Sequence, residues 1–414
     1  MKIAIVGAGI SGLATAHLLH QRHEITVFEA GALAGGHANT VRVDTEDATH
    51  HVDTGFIVFN DRNYPNFERL LGSLRVASQP SDMSFGVSDG GDFEYNGSSP
   101  NGLFAKRAHL VTPWFHRMIA DLVRFNGHAK TLLAQGGEGP SLGQWLDAGG
   151  YSRAFVERLI VPQASAVWSA DPRQMWTFPA RFLVEFFANH GMLGFAKRPQ
   201  WKTVVGGSRT YVDAITRPFA DRMRLGTPVL AISRDEDGVS LTPRGGEPER
   251  FDEVVLATHS DQALRMLGAG ATDREHEILG AIPYQPNEAV LHTDRRLLPR
   301  RRRAWASWNY HLLPEPTGLT TVTYHMNRLQ ALRADREFCV TLNRSEAIDP
   351  GKVLRTIQYA HPVFTPAGAA AQKRHHEISG RNRTHFAGAY WHWGFHEDGV
   401  ASAVKVGERF GARL

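Results

Sequence analysis

The sequence predicts an α/β fold in which a parallel-sheet domain, assembled from three separate stretches, is interleaved with an α+β domain. Three observations carry the prediction. A strand, a glycine loop, a helix and a second strand ending in an acid fill Met1 to Ala30. Short buried strands return around Val229 and Val254, and a strand, loop and helix close the chain after Arg383. The first domain is drawn from residues 1–59, 201–262 and 380–414, the second from 60–200 and 263–379.

Ile3-Ala4-Ile5-Val6 is an apolar run ending at Gly7, too short for a helix and right for a buried parallel strand. Gly7, Gly9 and Gly12 follow at G-x-G-x-x-G spacing. The first glycine permits a tight turn, the second admits a pyrophosphate to the backbone, and the third lets the next helix lie close on the strand. That helix, from about Ser11 to Gln21 and preceded by Ile10, aims its positive end at the phosphates. A strand over Ile25–Phe28 then delivers Glu29 and Ala30. The Glu29 carboxylate accepts hydrogen bonds from both hydroxyls of an adenosine ribose and disfavours a 2′-phosphate. These features make a Rossmann-type unit and leave open which dinucleotide it binds.

At 414 residues the chain exceeds one ordinary core, so two domains are expected. Hydrophobic content of 42% and charged content of 21% are those of a globular enzyme. The net charge of +4 is a mild excess, concentrated in Arg295-Arg296 and Arg300 to Arg303. That run reads as a solvated turn after Pro299, with peripheral contact to an anionic membrane face as the alternative. No nucleic-acid module is present. Cys339 is the single cysteine, which excludes an internal disulfide and a cysteine-based metal cluster and suits a reducing cytoplasm. Strand formation from Lys2 leaves no room for a leader peptide. Charges at Glu157, Arg158, Asp171, Arg173, Arg181 and Glu185 break up the most apolar region, so no transmembrane helix is expected.

A glycine-rich stretch, Gly31 to Thr40, follows the ribose acid and contains Gly35-Gly36-His37; Asp53-Thr54-Gly55-Phe56 then reads as a strand end turning into a loop. Together with the N-terminal motif, these residues resemble the flavin-containing amine oxidase superfamily. That group includes monoamine and polyamine oxidases, protoporphyrinogen oxidase and carotenoid desaturases. The resemblance implies a glutathione-reductase-like FAD domain of the amine oxidase type, with FAD bound along Gly35, Gly36, Gly55 and Phe56. It also implies an arginine on the FAD pyrophosphate after the Gly-Gly pair, where this chain has His37.

From Asn60 to Pro199 the pattern is helical and aromatic. Leu110 to Lys130 reads as a long helix, and Ser141-Leu142-Gly143-Gln144 as the cap and first turn of another. Pro179 opens a third, with Phe182, Phe186 and Phe187 on one face; such a stripe is core packing, and the resemblance adds that part of it lines an apolar pocket. Val204 to Ser208 leads into a helix to Phe219, then a strand over Pro228–Arg234, a turn at Asp237-Gly238 and a strand near Val239–Thr242. Glu253 to Thr258 is a further buried strand. By resemblance, the backbone at Val229 contacts adenine and Ala257 belongs to the cofactor site. Strand candidates in the second domain are Ala289–His292, Trp305–Tyr310, Leu319–Met326 and Phe338–Leu342, an antiparallel floor to a pocket.

The stretch from Thr384 to Ala403 reads as a strand ending at Gly388, a loop, and a helix from about Asp398. It resembles the closing motif of the superfamily, in which a helix N-terminus, here Glu397-Asp398-Gly399-Val400, points at the flavin N1/O2 edge. The family's usual acid after the glycine is replaced by Ala389. Tyr390, His392 and Trp393 are the candidate catalytic residues, His392 as an acid or base; Tyr324 and His325 are weaker candidates. His392 and His396 have metal-pair spacing, but Gly394 lies between them and no metal is expected.

The implied activity is an FAD-dependent oxidoreductase passing a hydride from an apolar substrate to flavin N5. Tyr64-Pro65-Asn66, the stretch Gln79–Ser84 and the stretch Phe395–Gly399 are similar to those of bacterial FAD proteins linked to modified fatty acids, which implies an acyl-lipid substrate. A fatty-acyl double-bond isomerase, an amine oxidase and a non-enzymatic flavoprotein are the alternatives. The electron acceptor is unknown. An amine oxidase is disfavoured because the lysine that many members place after a tyrosine falls at Glu288 in the matching stretch Pro283–Leu291, and no lysine occurs between Lys202 and Lys352.

Overall fold

The computed structural model describes residues 1–46, 48–137, 139–194, 198–315 and 317–414. Five parallel strands form the central sheet in the order Met223–Arg224, Glu24–Phe28, Lys2–Val6, Glu253–Leu256, Thr384–Phe386. A strand buried on both faces sends alternate side chains into separate layers. Ile3 and Ile5 pack with the first helix, Ile10–Leu19, and the C-terminal helix, His396–Arg409. Ala4 and Val6 pack against an antiparallel sheet of Val229–Arg234, Val239–Pro243 and Glu249–Phe251. The glycine turn is sterically enforced: Gly7 has φ +101°, and a Cβ at Gly12 would lie 1.9 Å from the Gly7 carbonyl oxygen.

The second sheet has seven strands in the order Val353–Pro362, Tyr284–His292, Cys339–Leu342, Val322–His325, Trp308–His311, Phe85–Ser88, Glu94–Asn96. All neighbours are antiparallel except Trp308–His311 with Phe85–Ser88. Helices Pro113–Ala134, Leu142–Ala148, Val161–Trp168 and Ala180–Asn189 share one core with it, in which Phe115, Phe125, Phe155 and Phe187 meet Ala289, Leu291, Val322 and Val340.

The Ser141 cap forms as its sequence requires, with Ser141 Oγ accepting from Gln144 N at 3.2 Å and Gln144 Oε1 from Ser141 N at 3.0 Å. The long helix starts at Pro113 rather than Leu110, because a proline without an N–H suits the first helical position; Leu110 and Val111 belong to a preceding 3₁₀ turn. The edge strand Val353–Pro362 and the pair Phe85–Ser88 and Glu94–Asn96 were not expected. Glu288 requires a correction. Alternation along its strand puts Ala289 and Leu291 in the substrate-side core, whereas Glu288 lies on the opposite face, accepting from Gln358 Nε2 at 3.0 Å.

Candidate functional site

One cavity of about 1060 Å³ joins the two sheets. At one end it is walled by Gly7, Gly9, Ile10, Ser11, Glu29, Ala30, Val229 and Ala257. The glycine loops touch there: Gly9 bridges to Gly35, and a Cβ on Gly36 would come within 3.2 Å of Gly9 Cα. A Cβ at Gly9 itself would meet nothing within 4 Å, since it faces open cavity. Glu29 is held in place by two backbone donors, Ala8 N to Oε2 and Gly31 N to Oε1, both at 2.7 Å. A carboxylate has about four acceptor sites, so two remain for ribose hydroxyls. Glu29→Ala removes charge-assisted bonds worth about 1.5–3 kcal/mol, and FAD affinity measured by fluorescence titration is expected to fall by about one to two decades.

The middle of the cavity is lined by Gly35, Gly36, His37, Gly55, Phe56, Gly388, Ala389, Tyr390 and Trp393. Phe56 stacks on His396 at 3.5 Å between ring centroids, and His396 Nε2 lies 2.8 Å from Tyr211 Oη. Burial pushes the His396 imidazole down to about 3, so it is neutral. Trp393 stands in the wall between the cavity and an outer groove, its carbonyl accepting from Trp168 Nε1 at 3.2 Å.

Several candidate residues stand elsewhere. His392 is exposed, its side chain 56% accessible and its Nδ1 3.1 Å from Asp398, and it lines the outer groove instead of the cavity. The loop turns at Gly394, φ +89°, so His392 and His396 part to opposite sides. Glu397 does not face the cavity: its carboxylate accepts from Asn66 N, Asn66 Nδ2 and Phe67 N at 3.1, 2.7 and 2.9 Å, capping the helix Pro65–Leu74. Asp398 caps its own helix through Phe395 N at 2.9 Å. Gly399 lets that helix approach Ile10 and Ser11, and Val400 is fully buried between the layers. Gly12 is packed on the Gly7 carbonyl. Tyr324 lines the cavity, whereas His325 bonds Glu337 at 2.7 Å. Glu397→Ala leaves the Pro65–Leu74 helix uncapped and is expected to cost about 1–3 kcal/mol in denaturant unfolding.

The far arm is apolar. Leu159, Gln163 and Val167 line it at i, i+4 and i+8 from one helical face, opposite Met83, Phe85, Trp308 and Leu342. Of the phenylalanine stripe only Phe186 lines the cavity; Phe187 is core and Phe182 stacks on Phe364 at 5.4 Å. Sequence reasoning missed Tyr284, Tyr359, His361 and His259, all on the wall. The alternation Ile357, Tyr359, His361 was the available signal for the strand that carries two of them.

Residues 10–341 match the flavin containing amine oxidoreductase family. A chloroplastic protoporphyrinogen oxidase from Oryza sativa subsp. japonica is 29% identical over 344 residues, covering 69% of this chain and 58% of that enzyme. The chain therefore spans less than two thirds of that relative. Among solved structures, cyclohexylamine oxidase from Brevibacterium oxydans IH-35A superposes with a TM-score of 0.70 at 17% identity, covering 99% of each chain. The CLA-producing fatty acid isomerase from P. acnes gives 0.69 at 16% identity, covering 99% of this chain and 98% of that one. At such identities the structural likeness speaks to fold. The residues fit FAD: a glycine loop whose Gly9 faces open cavity, a carboxylate at Glu29 held by backbone donors with acceptor capacity to spare, and a continuous cavity from both to the C-terminal loop.

Proposed function

The chain belongs to the flavin-containing amine oxidoreductase family, and on that premise we propose an FAD-dependent oxidoreductase that takes a hydride from an apolar, fatty-acyl or lipid substrate. The lining of the far arm supports this substrate class. Among the described residues the only carboxylate on the cavity wall is Glu29, at the adenosine end, and no lysine lines the wall. An ammonium group brought into the arm loses its hydration at a cost of several kcal/mol without a carboxylate to receive it. Each desolvated aromatic face returns about 2 kcal/mol or more, against a loss of several. An acyl chain gains about 0.8 kcal/mol per buried CH₂.

FAD, when bound, supplies the hydride acceptor. The chain's own residues hold the substrate and keep water out. Leu159, Val167 and Trp308 give the chain an apolar bed, while the stacked Phe182 and Phe364 and the Trp168–Trp393 bond close the wall. Tyr390 and Trp393 stand beside the ring in this reading. Organic extraction of the purified yellow protein tests it: a co-purifying acyl lipid supports the assignment, and a bound amine opposes it.

No helix among the described residues is long and apolar enough to cross a membrane. A cytoplasmic protein with peripheral membrane contact fits the surface. Leu110, Val111 and Trp114 are 52%, 83% and 39% exposed beside Lys106, Arg107 and Arg117. The arginine run adjoins this patch: Arg107 donates to Asn101 at 2.6 Å, and Gly102 packs on the Arg303 carbonyl. Cosedimentation with anionic phosphatidylglycerol vesicles is expected, and Val111→Asp should reduce it several-fold.

A further inference from the structure

Three imidazoles stand in the middle of the cavity with no part in the reaction above. His37 follows the Gly35-Gly36 loop, His259 precedes the helix Ser260–Leu267, and His361 lies near the end of the edge strand. The His37 ring is 5.2 Å from that of His361 and 6.3 Å from that of His259, and it stacks on Tyr359 at 4.8 Å. His259 in turn stacks on Tyr284 at 4.4 Å. All five rings line the cavity.

Hydrogen bonds decide what His361 presents. Glu288 N donates to Asn343 Oδ1 at 2.9 Å, and Asn343 Nδ2 donates to the Thr320 carbonyl at 2.9 Å and to Asn287 Oδ1 at 2.7 Å. Backbone groups thus orient the first amide, and the first amide orients the second. Asn287 Nδ2 is left facing His361 Nδ1 at 2.9 Å, which must accept. The His361 proton therefore sits on Nε2, and the ring is a neutral donor; burial, with His259 beside it, holds its pKa down at about 4. His37 is differently placed. Its Nε2 is buried with no partner among the described residues. The arginines on the cavity wall are Arg198, Arg244 and Arg265, the last paired with Asp261 at 2.9 Å; Arg209, off the wall, donates to the Ala34 carbonyl of the glycine loop at 3.4 Å.

We propose that these three imidazoles receive the diphosphate of FAD, and that His37 takes up a proton as the diphosphate arrives. The proposal rests on the FAD reading above. Glycine-loop N–H groups and one helix end supply partial charge only, about half a unit from the helix. A dianionic diphosphate in a half-enclosed cavity needs a full cation as well. In the protein alone, burial first and then His361, His259 and His396 hold the His37 pKa well below its ordinary range. Of the other ionisable groups, Tyr359 stacks directly on His37, while Asp53 acts on Tyr359 and Asp261 on His259 and Tyr284. An adjoining anion reverses the balance and raises the imidazole pKa. A group neutral in the free protein and protonated in the complex tightens binding as pH falls, by about tenfold per pH unit where one proton is taken up.

The test starts from the holoprotein as purified. Free FAD is measured by fluorescence after equilibration at pH 6, 7, 8 and 9, and ³¹P resonances of the bound diphosphate are followed over the same range. For the unaltered protein, the dissociation constant should rise about tenfold per pH unit across part of this range, with a matching ³¹P shift. His37→Arg should hold FAD independently of pH and without the shift. His361→Phe should weaken binding at every pH and keep the slope. FAD held with neither slope nor shift in the unaltered protein, or the same slope in His37→Arg, overturns the proposal and leaves the cofactor reading standing. Protein that holds no FAD at any pH overturns both.

Discussion

Gly9→Val is expected to yield a folded protein that contains no FAD. A Cβ at Gly9 meets nothing within 4 Å, and the backbone there has φ −76°, which any residue adopts. The substitution therefore costs the protein alone little, while its side chain occupies the space from which the diphosphate approaches the backbone. Gly12 is the contrast. Its Cβ would sit 1.9 Å from the Gly7 carbonyl oxygen, so Gly12→Val should fail to fold. Circular dichroism and thermal melting report the fold, and absorbance near the flavin band reports the cofactor. A yellow Gly9→Val protein would show that the glycine loop is not the cofactor cradle.

The second large effect is expected from Leu159→Arg. Leu159 is on the helical face that also carries Gln163 and Val167, at the far arm and away from the glycine loops. A guanidinium placed there is buried with no carboxylate on the cavity wall nearby, at a cost of about 3 kcal/mol. Reduction by an acyl substrate should slow by about 100-fold or more, while FAD content stays at the unaltered level. Loss of FAD together with activity would instead place Leu159 against the cofactor.

Much of the nucleotide half was legible because its constraints are local. A tight turn and a close helix–strand approach each need one residue type at one spacing, and Gly7 and Gly12 stand where those constraints put them, with Glu29 held at the end of the second strand by Ala8 N. The C-terminal motif was legible as a strand, loop and helix but not as side-chain directions. Glu397 and Asp398 look like cofactor ligands in a linear reading; in the fold one caps the helix Pro65–Leu74 and the other caps its own helix. His392 lost its place to the turn at Gly394. The wall histidines were hidden for another reason. His37 was in view beside Gly35-Gly36, but His259 and His361 come from two distant segments, and nothing at either position signals that it meets His37. Register was the remaining gap, since a one-residue slip along Tyr284–His292 exchanges the cavity face for the outer face and moves Glu288 with it.

An acyl chain held in the far arm is proposed to reduce FAD by hydride transfer. Anaerobic mixing of oxidised holoprotein tests it most directly. One series uses mono- and polyamines and the other uses phospholipids with unsaturated or methyl-branched acyl chains, with flavin absorbance followed in both and the lipids recovered for analysis. Bleaching is expected from the acyl lipids, with a new double bond in the recovered chain, and none from any amine; rapid bleaching by amines with none by the lipids would overturn the acyl-chain assignment.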